Sequence, residues 1–215
     1  MTPPPLVPRQ FDAEEQARYV ARFHSLIDTA SGGAGAPASS GLPSGAIAIQ
    51  WVASPVGPLL IGATDTALQF LEFSDTDELD ERVARLRKHF SRPLVCVENA
   101  ILSRLRDQLG EYFAGARRDF EIPLEVHGSD FQERVWDALR TIPYGETRSY
   151  GGIAKQLGDP GAMRAVGGAN HMNPIAIVIP CHRVVNASGD LGGFGGGAWR
   201  KRILLDLERG QRSLF

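Results

Sequence analysis

Apolar residues recur through residues 11–30 at the spacing of one helical face, with Val20, Phe23, Ile27 and Ala30 aligned and Glu14, Glu15, Arg18 and Arg22 falling largely elsewhere. This spacing predicts an amphipathic helix. Ser31 to Gly45 is rich in Gly, Ala, Ser and Pro and reads as a flexible linker that sets the helix apart from the rest of the chain. From Ala46 the pattern changes to short apolar runs. Ala46–Ala53 and Leu59–Gly62 flank the turn-forming Ser54-Pro55-Val56-Gly57-Pro58, and Ala67–Phe73 gives a third candidate strand. Helical patterns run over Asp77–Phe90 and Asn99–Phe113.

His127-Gly128 punctuates the chain. Ser129 or Asp130 can cap a helix in which Phe131, Val135, Trp136 and Leu139 share a face, with Glu133 in the first turn and Pro143 ending it. Tyr144-Gly145-Glu146 is a turn. Ser149–Leu157 and Ala162–His171 are two short helical stretches separated by Gly158-Asp159-Pro160, a helix-turn-helix pattern. Asn173-Pro174 stops the second. Ile175–Ile179 is wholly apolar and is expected to be buried and extended, and Trp199–Glu208 is a terminal amphipathic helix. The expected architecture is an α/β N-terminal module, a small sheet plus helices, followed by a mainly α C-terminal domain with a helix-turn-helix. Its expected boundaries are residues 1–45 for the helix and linker, 46–126 for the α/β module and 127–215 for the C-terminal domain.

Composition narrows the class without deciding it. With 215 residues, 43% hydrophobic and 22% charged, the chain can bury a real core. No apolar run approaches the roughly 20 residues that cross a bilayer, and the proline-rich Met1–Gln10 lacks a signal-peptide core, so a cytoplasmic protein away from membranes is expected. Two cysteines, Cys96 and Cys181, are too few for a disulfide framework. The five histidines have no zinc-type spacing with each other or with the cysteines, so neither metal nor other cofactor is expected. The formal net charge of −2 is unevenly spread: from Ser129 onward 11 Lys/Arg face 8 Asp/Glu, against 12 and 17 before it. A mildly basic second half fits a modest phosphate-contacting face.

Chemistry concentrates in Ile179-Pro180-Cys181-His182-Arg183-Val184-Val185. A thiol reacts as its thiolate, with an ordinary pKa near ~8.5, and needs a neighbouring base or positive charge. His182 is the natural base, although adjacent residues of an extended chain point apart, so a water would bridge it to the sulfur. A Cys-His dipeptide by itself is more often an inert buried thiol beside a capping histidine. Cys96, within Leu94-Val95-Cys96-Val97, reads as a small core residue.

Pro180-Cys181-His182-Arg183-Val184 resembles the active-site signature of the O6-alkylguanine-DNA alkyltransferases, also called methylated-DNA–protein-cysteine methyltransferases. The resemblance continues through Phe131–Leu139, Ile142–Thr147, Ser149-Tyr150, Arg164–Gly167 and Asn173-Pro174, in order and at family-like spacing, and covers roughly Ala46 to Glu208. Met1–Gly45 lies outside it. The resemblance implies a single-turnover DNA repair protein whose cysteine takes the alkyl group from O6 of guanine, and also from O4 of alkylthymine, in double-stranded DNA. Cys181 matches the acceptor, His182 the histidine of a carboxylate–histidine–water–cysteine relay, and Glu208 the carboxylate. Tyr150 matches the tyrosine that donates to N3 of the extruded base. Arg164 matches the finger that fills the vacated stack, on a helix whose small residues (Ala162, Ala165, Gly167) suit a minor groove only ~6 Å wide. Asn173 matches the hinge before the active-site segment. Val184, Phe194 and Gly195 match positions walling the guanine pocket, Phe194 standing where many members have tyrosine. The residues from 127 onward thus become the DNA-binding and alkyl-acceptor domain. Action as a monomer, with cooperative assembly on DNA as an open possibility, is expected.

Two other functions compete. A non-catalytic sensor of alkylated DNA would share the helix-turn-helix but dispense with the thiol, which is present here. A thiol hydrolase with a Cys-His dyad would need an oxyanion hole and turnover, and would leave the helix-turn-helix without a purpose.

Overall fold

The structure, a computed structural model, describes residues 12–28, 42–75 and 78–210. Expectations for most of the linker, for Ala30 and for Asp77 lie outside these residues. The described residues divide into two compact units, one comprising residues 12–28, 42–75, 78–111 and 120–125 and the other residues 112–119 and 126–210.

The first unit opens with α1 (Ala13–Asp28) and continues through β1 (Ile47–Val52), β2 (Leu59–Ala63), β3 (Leu68–Phe73), α2 (Leu79–Phe90), β4 (Leu94–Val95) and α3 (Ala100–Phe113), whose last turn belongs to the second unit. The sheet order is β3-β2-β1-β4; β1–β2 and β2–β3 are antiparallel, and β4 joins β1 in parallel through Ile47↔Leu94 and Ala48↔Val95. The helix α1 is not set apart from this unit. Tyr19, Phe23 and Ile27 are fully buried in one cluster with Ile47, Leu60, Phe70 and Val83. An apolar stripe of this size gains by covering a sheet face, and the linker composition did not prevent it. At Gly62 a Cβ would lie 2.1 Å from the Phe70 ring, so the cross-strand neighbour leaves room only for glycine. The N-terminus of α3 is closed by Asn99, whose Oδ1 accepts from the backbone N–H groups of Ile101 (2.9 Å) and Leu102 (3.1 Å).

The second unit is mainly helical: α4 (Asp130–Arg140), β5 (Arg148–Ser149), α5 (Tyr150–Gln156), α6 (Met163–His171), β6 (Val184–Val185) and α7 (Ala198–Glu208). Ser129 caps α4 in a reciprocal box with Gln132, while Glu133 accepts from the backbone N–H of Gly128 at 3.1 Å. Val135, Trp136 and Leu139 are buried, and the Trp136 indole donates to the Ala169 carbonyl at 2.9 Å, which ties α4 to α6. The helices α5 and α6 pack together across a tight connection with a short 3-10 turn at Pro160–Ala162. The expected extended run at Ile175–Ile179 is instead a tight turn: Ile177 has φ +69°, and Val178 N–H donates to Ala176 O at 2.8 Å. An apolar run reports burial but not backbone direction, so the pattern could not distinguish the two. Among the described residues, no helix is long and apolar enough to cross a membrane.

Candidate active site

The site is assembled within the second unit from the segments on either side of Pro180. Asn173, just past α6, brackets the turn: its Nδ2 donates to Ile179 O at 2.8 Å and its Oδ1 accepts from Ile175 N–H at 3.1 Å. These bonds hold both ends of the segment in which Ile177 takes its left-handed conformation, one that β-branched residues rarely adopt. After Pro180 the chain makes one 3-10 turn, Cys181–Arg183, closed by Val184 N–H on Cys181 O. It then pairs with β5 in parallel, Arg148↔Val184 and Ser149↔Val185. The Cys181 turn is therefore anchored at the head of α5, whose first residue is Tyr150.

Cys181 is 5% exposed. Burial pushes its thiol above the ordinary range, partly offset by the Asn173 side chain and the nearby Lys201 ammonium. The neutral thiol therefore dominates at pH 7, and reaction calls for a base. His182 is completely buried, and burial lowers its pKa, so the imidazole is neutral. Its Nε2 lies 2.8 Å from Glu208 Oε1. Burial alone would raise the Glu208 carboxyl, but the His182 bond and the Arg183 guanidinium outweigh it and hold the group well below the carboxylate range. An ionised carboxylate only accepts, so Nε2 carries the proton and Nδ1 is left as the ring's lone-pair acceptor, buried and without a hydrogen-bond partner among the described residues.

Glu208 is the hub of this arrangement. Its Oε1 also accepts from Tyr112 Oη (2.8 Å) and Arg183 Nη2 (2.9 Å), and its Oε2 from Arg183 Nε (2.9 Å) and Gly145 N (3.0 Å). Gly145 has φ +79°, and a Cβ there would press to 3.0 Å from Glu208 O, so the turn before β5 requires glycine on both counts.

A cavity of about 530 Å³ is lined by Tyr150, Met163, Gly167, Asn170, His171 and Phe194, among others. The Tyr150 hydroxyl donates to Gly193 O at 3.3 Å, and burial followed by the Cys181 charge raises its pKa, so it is a donor across the neutral range. Lys201, fully buried on α7, donates to Val184 O at 2.6 Å and to Leu191 O, and its ammonium lies 5.9 Å from the ring centroids of both Tyr150 and Phe194. It fastens the glycine-rich loop to the segment after the cysteine, and burial brings its pKa down to about 8.

The structure thus brings Cys181, His182, Glu208, Asn173 and Val184 into one buried neighbourhood, with Tyr150, Gly167 and Phe194 on the cavity wall. Arg164 and Ala165 are exposed on α6, Ala162 is half-buried in the turn before it, and Gly195 lies beside His171 without lining the cavity. Sequence reasoning missed Tyr112, Gly145, Lys201 and Asn170. Arg183 and Gly145 stood inside quoted motifs, yet nothing in their local pattern reveals a partner 25 or 63 residues away. Among the described residues, no group of His, Cys, Asp and Glu could hold a metal ion.

Comparison with known proteins places this geometry. Residues 48–126 match the family model described as 6-O-methylguanine DNA methyltransferase, ribonuclease-like domain, and residues 130–210 match the same family's DNA binding domain. The chain belongs to the 6-O-methylguanine DNA methyltransferase family. The methylated-DNA–protein-cysteine methyltransferase of Mycobacterium bovis is 50% identical over 156 residues, 73% of this chain and 88% of that protein. That of Methanosarcina acetivorans is 44% identical over 156 residues, 72% and 94% of the two chains. In structure, the chain is similar to Mycobacterium tuberculosis OGT in complex with DNA, with a TM-score of 0.65 and 46% identity over 77% of this chain and 94% of that one. The family's two domains account for the order seen here, a small sheet with helices and then a helical domain. The helix α1 precedes the matched residues.

Proposed function

We propose that this chain repairs double-stranded DNA by moving the alkyl group of O6-alkylguanine, and of O4-alkylthymine, onto its own Cys181, once per molecule. The observation that carries the reading is the buried Cys181–Arg183 turn, in which a thiol is followed directly by an imidazole locked on Glu208 at 2.8 Å. The DNA-bound relative from M. tuberculosis supports DNA as the partner.

The alkyl carbon is displaced in one step: the S–C bond forms as the C–O6 bond breaks. The Nδ1 lone pair of His182 takes the thiol proton through a bridging water, and the proton ends on the purine ring, so guanine leaves neutral. Glu208 fixes the tautomer and stabilises the transient imidazolium. The Tyr150 phenol donates to N3 of the leaving base in place of its bond to Gly193 O. The thioether has no route back to a thiol, which makes the reaction single-turnover.

A duplex base cannot present its O6 substituent to a buried sulfur, so it must leave the stack at a cost of a few kcal/mol. In this reading α6 lies in the minor groove, and Arg164, exposed on that helix, enters the stack behind the extruded base. Ala162, Ala165 and Gly167 permit the close approach. Phe194 stacks in the cavity, and Asn173, Val184 and Gly195 hold the backbone of the segments beside it. Incubation with duplex DNA carrying O6-methylguanine, followed by digestion, should increase the Cys181 peptide by the mass of one methylene, a methyl having replaced the thiol proton. Binding without this gain would indicate a sensor instead and overturn the proposal.

A further inference from the structure

The Glu208 carboxylate receives more donors than orienting an imidazole requires. Two come from Arg183, one from the Gly145 backbone, one from His182 and one from Tyr112. Arg183 and Gly145 hold the carboxylate in place and compensate its charge. Oε1 takes three of these donors, Arg183 Nη2, His182 Nε2 and the Tyr112 phenol, and Tyr112 differs from Arg183 in being a neutral hydroxyl whose removal leaves the ion pair in place. Three donors on one oxygen compete for its electron density, and the phenol is the uncharged hydroxyl among them, so the strength of its bond shifts what remains for the imidazole.

We propose that Tyr112 is a positioning residue of the relay, which tempers the pull of Glu208 on the His182 proton and thereby sets the acid limit of alkyl transfer. The inference rests on the function proposed above. Tyr112 is fully buried at the end of α3, and its ring meets that of Tyr144 edge-on at 6.1 Å. Burial, then the Glu208 charge, raises its pKa well above the ordinary value, so the phenol remains a donor throughout the working range. The titratable and charged groups facing this cluster are Tyr144, His182, Arg183 and, toward His182, Lys201; Arg118 stands over the Tyr144 ring at 5.7 Å. Among these, only His182, Arg183 and Tyr112 are hydrogen-bonded through their side chains to Glu208 in the described structure.

Removing the phenol donor leaves the carboxylate more basic and the imidazolium easier to form. The base then loses its lone pair at a higher pH. For Tyr112→Phe, the acid limb of the single-turnover rate against pH should move upward by about half to one unit. Transfer would then be slowed by up to about three- to tenfold on the acid side of the limb's midpoint and stay within about twofold of the parent at pH 8.5. Site-specific replacement of Tyr112 by 3,5-difluorotyrosine, a stronger donor, should move the limb the other way, and it keeps the question open to test if the phenylalanine variant folds poorly. Tyr144→Phe, whose hydroxyl lies 3.5 Å from Leu207 O, should leave the limb in place. A limb that moves in neither Tyr112 variant, or a rate that falls by the same factor at every pH, overturns the inference. If the parent protein itself transfers no methyl group, the proposed function fails and this inference fails with it; a transferring parent with unmoved limbs sinks the inference alone.

Discussion

Replacing Glu208 by glutamine tests the hub directly. The substitution keeps the shape but exchanges one acceptor oxygen for an amide NH2, which must then face donors. In the wild-type arrangement Arg183, with 8% of its side chain exposed, is paired bidentately with this carboxylate at 2.9 Å on both contacts. In the variant its guanidinium keeps the Ile142 carbonyl but loses its anion while buried. Removing one partner of a buried ion pair costs about 3–5 kcal/mol, mostly as an uncompensated charge. A loss of that size is a large part of the 5–15 kcal/mol that usually holds a domain folded, and for a chain of 150–250 residues each kcal/mol lowers Tm by about 2–4 °C. Thermal unfolding followed by circular dichroism at neutral pH should therefore show a fall of about 6–20 °C. The double variant Glu208→Gln/Arg183→Met, which removes the stranded charge as well, should recover a large part of it. A Glu208→Gln protein that melts within about 2 °C of the parent would refute the view that this carboxylate is a structural hub.

The same geometry leads to four other expected outcomes. Cys181→Ala should bind duplex DNA carrying O6-methylguanine as the parent does, by fluorescence anisotropy, while its peptide gains no mass; loss of binding would contradict the assignment of the thiol to chemistry alone. Arg164→Ala should slow transfer from duplex DNA well beyond Arg202→Ala, an exposed arginine on α7; equal slowing would remove the finger role. Lys201→Met withdraws the charge that lowers the Cys181 thiol, so iodoacetamide labelling of Cys181 at pH 8 should slow severalfold, and unchanged labelling would show that the ammonium does not act on the sulfur. Stability should fall on acidification below about pH 6.5: His182, held neutral by burial, takes up a proton in the unfolded chain first, and Glu208, depressed in the fold, adds its share below the ordinary carboxylate pKa. A denaturant midpoint that is flat between pH 7 and 5 would contradict the His182 assignment, and one that does not fall further between pH 4.5 and 3 would contradict that of Glu208.

Much of the fold was legible because periodicity reports burial on one face. The strands β1 to β3 and helices α2 to α4 coincide with the apolar runs to within a few residues. The two-residue strands β4, β5 and β6 were not legible, since a ladder of two residues leaves no alternation to read. The Ile175–Ile179 run was misread because five apolar residues fit a buried turn as well as a strand; the side chain of Asn173, not the apolar residues, decides the backbone there. Of the two caps the sequence offered, Ser129 closes α4, and its reciprocal partner is Gln132, the third helical residue. In the site, Cys181, His182 and Glu208 were named through the family resemblance, and the structure joins His182 to Glu208 at 2.8 Å. Tyr112 and Lys201 could not, because a buried phenol and a buried ammonium carry no local signature; their roles exist only once residues 96 and 17 positions apart are brought together.

The left-handed Ile177 has a steric corollary. The sulfur sits just after a reversal of chain direction whose two ends are stitched by Asn173, and just before a ladder whose register with Arg148 and Ser149 is set. Neither flank can slip by a residue to absorb added bulk. In the proposed reaction the group that the sulfur acquires must therefore find its volume among neighbouring side chains, so the girth of cargo the protein tolerates is decided by those side chains and not by give in the main chain.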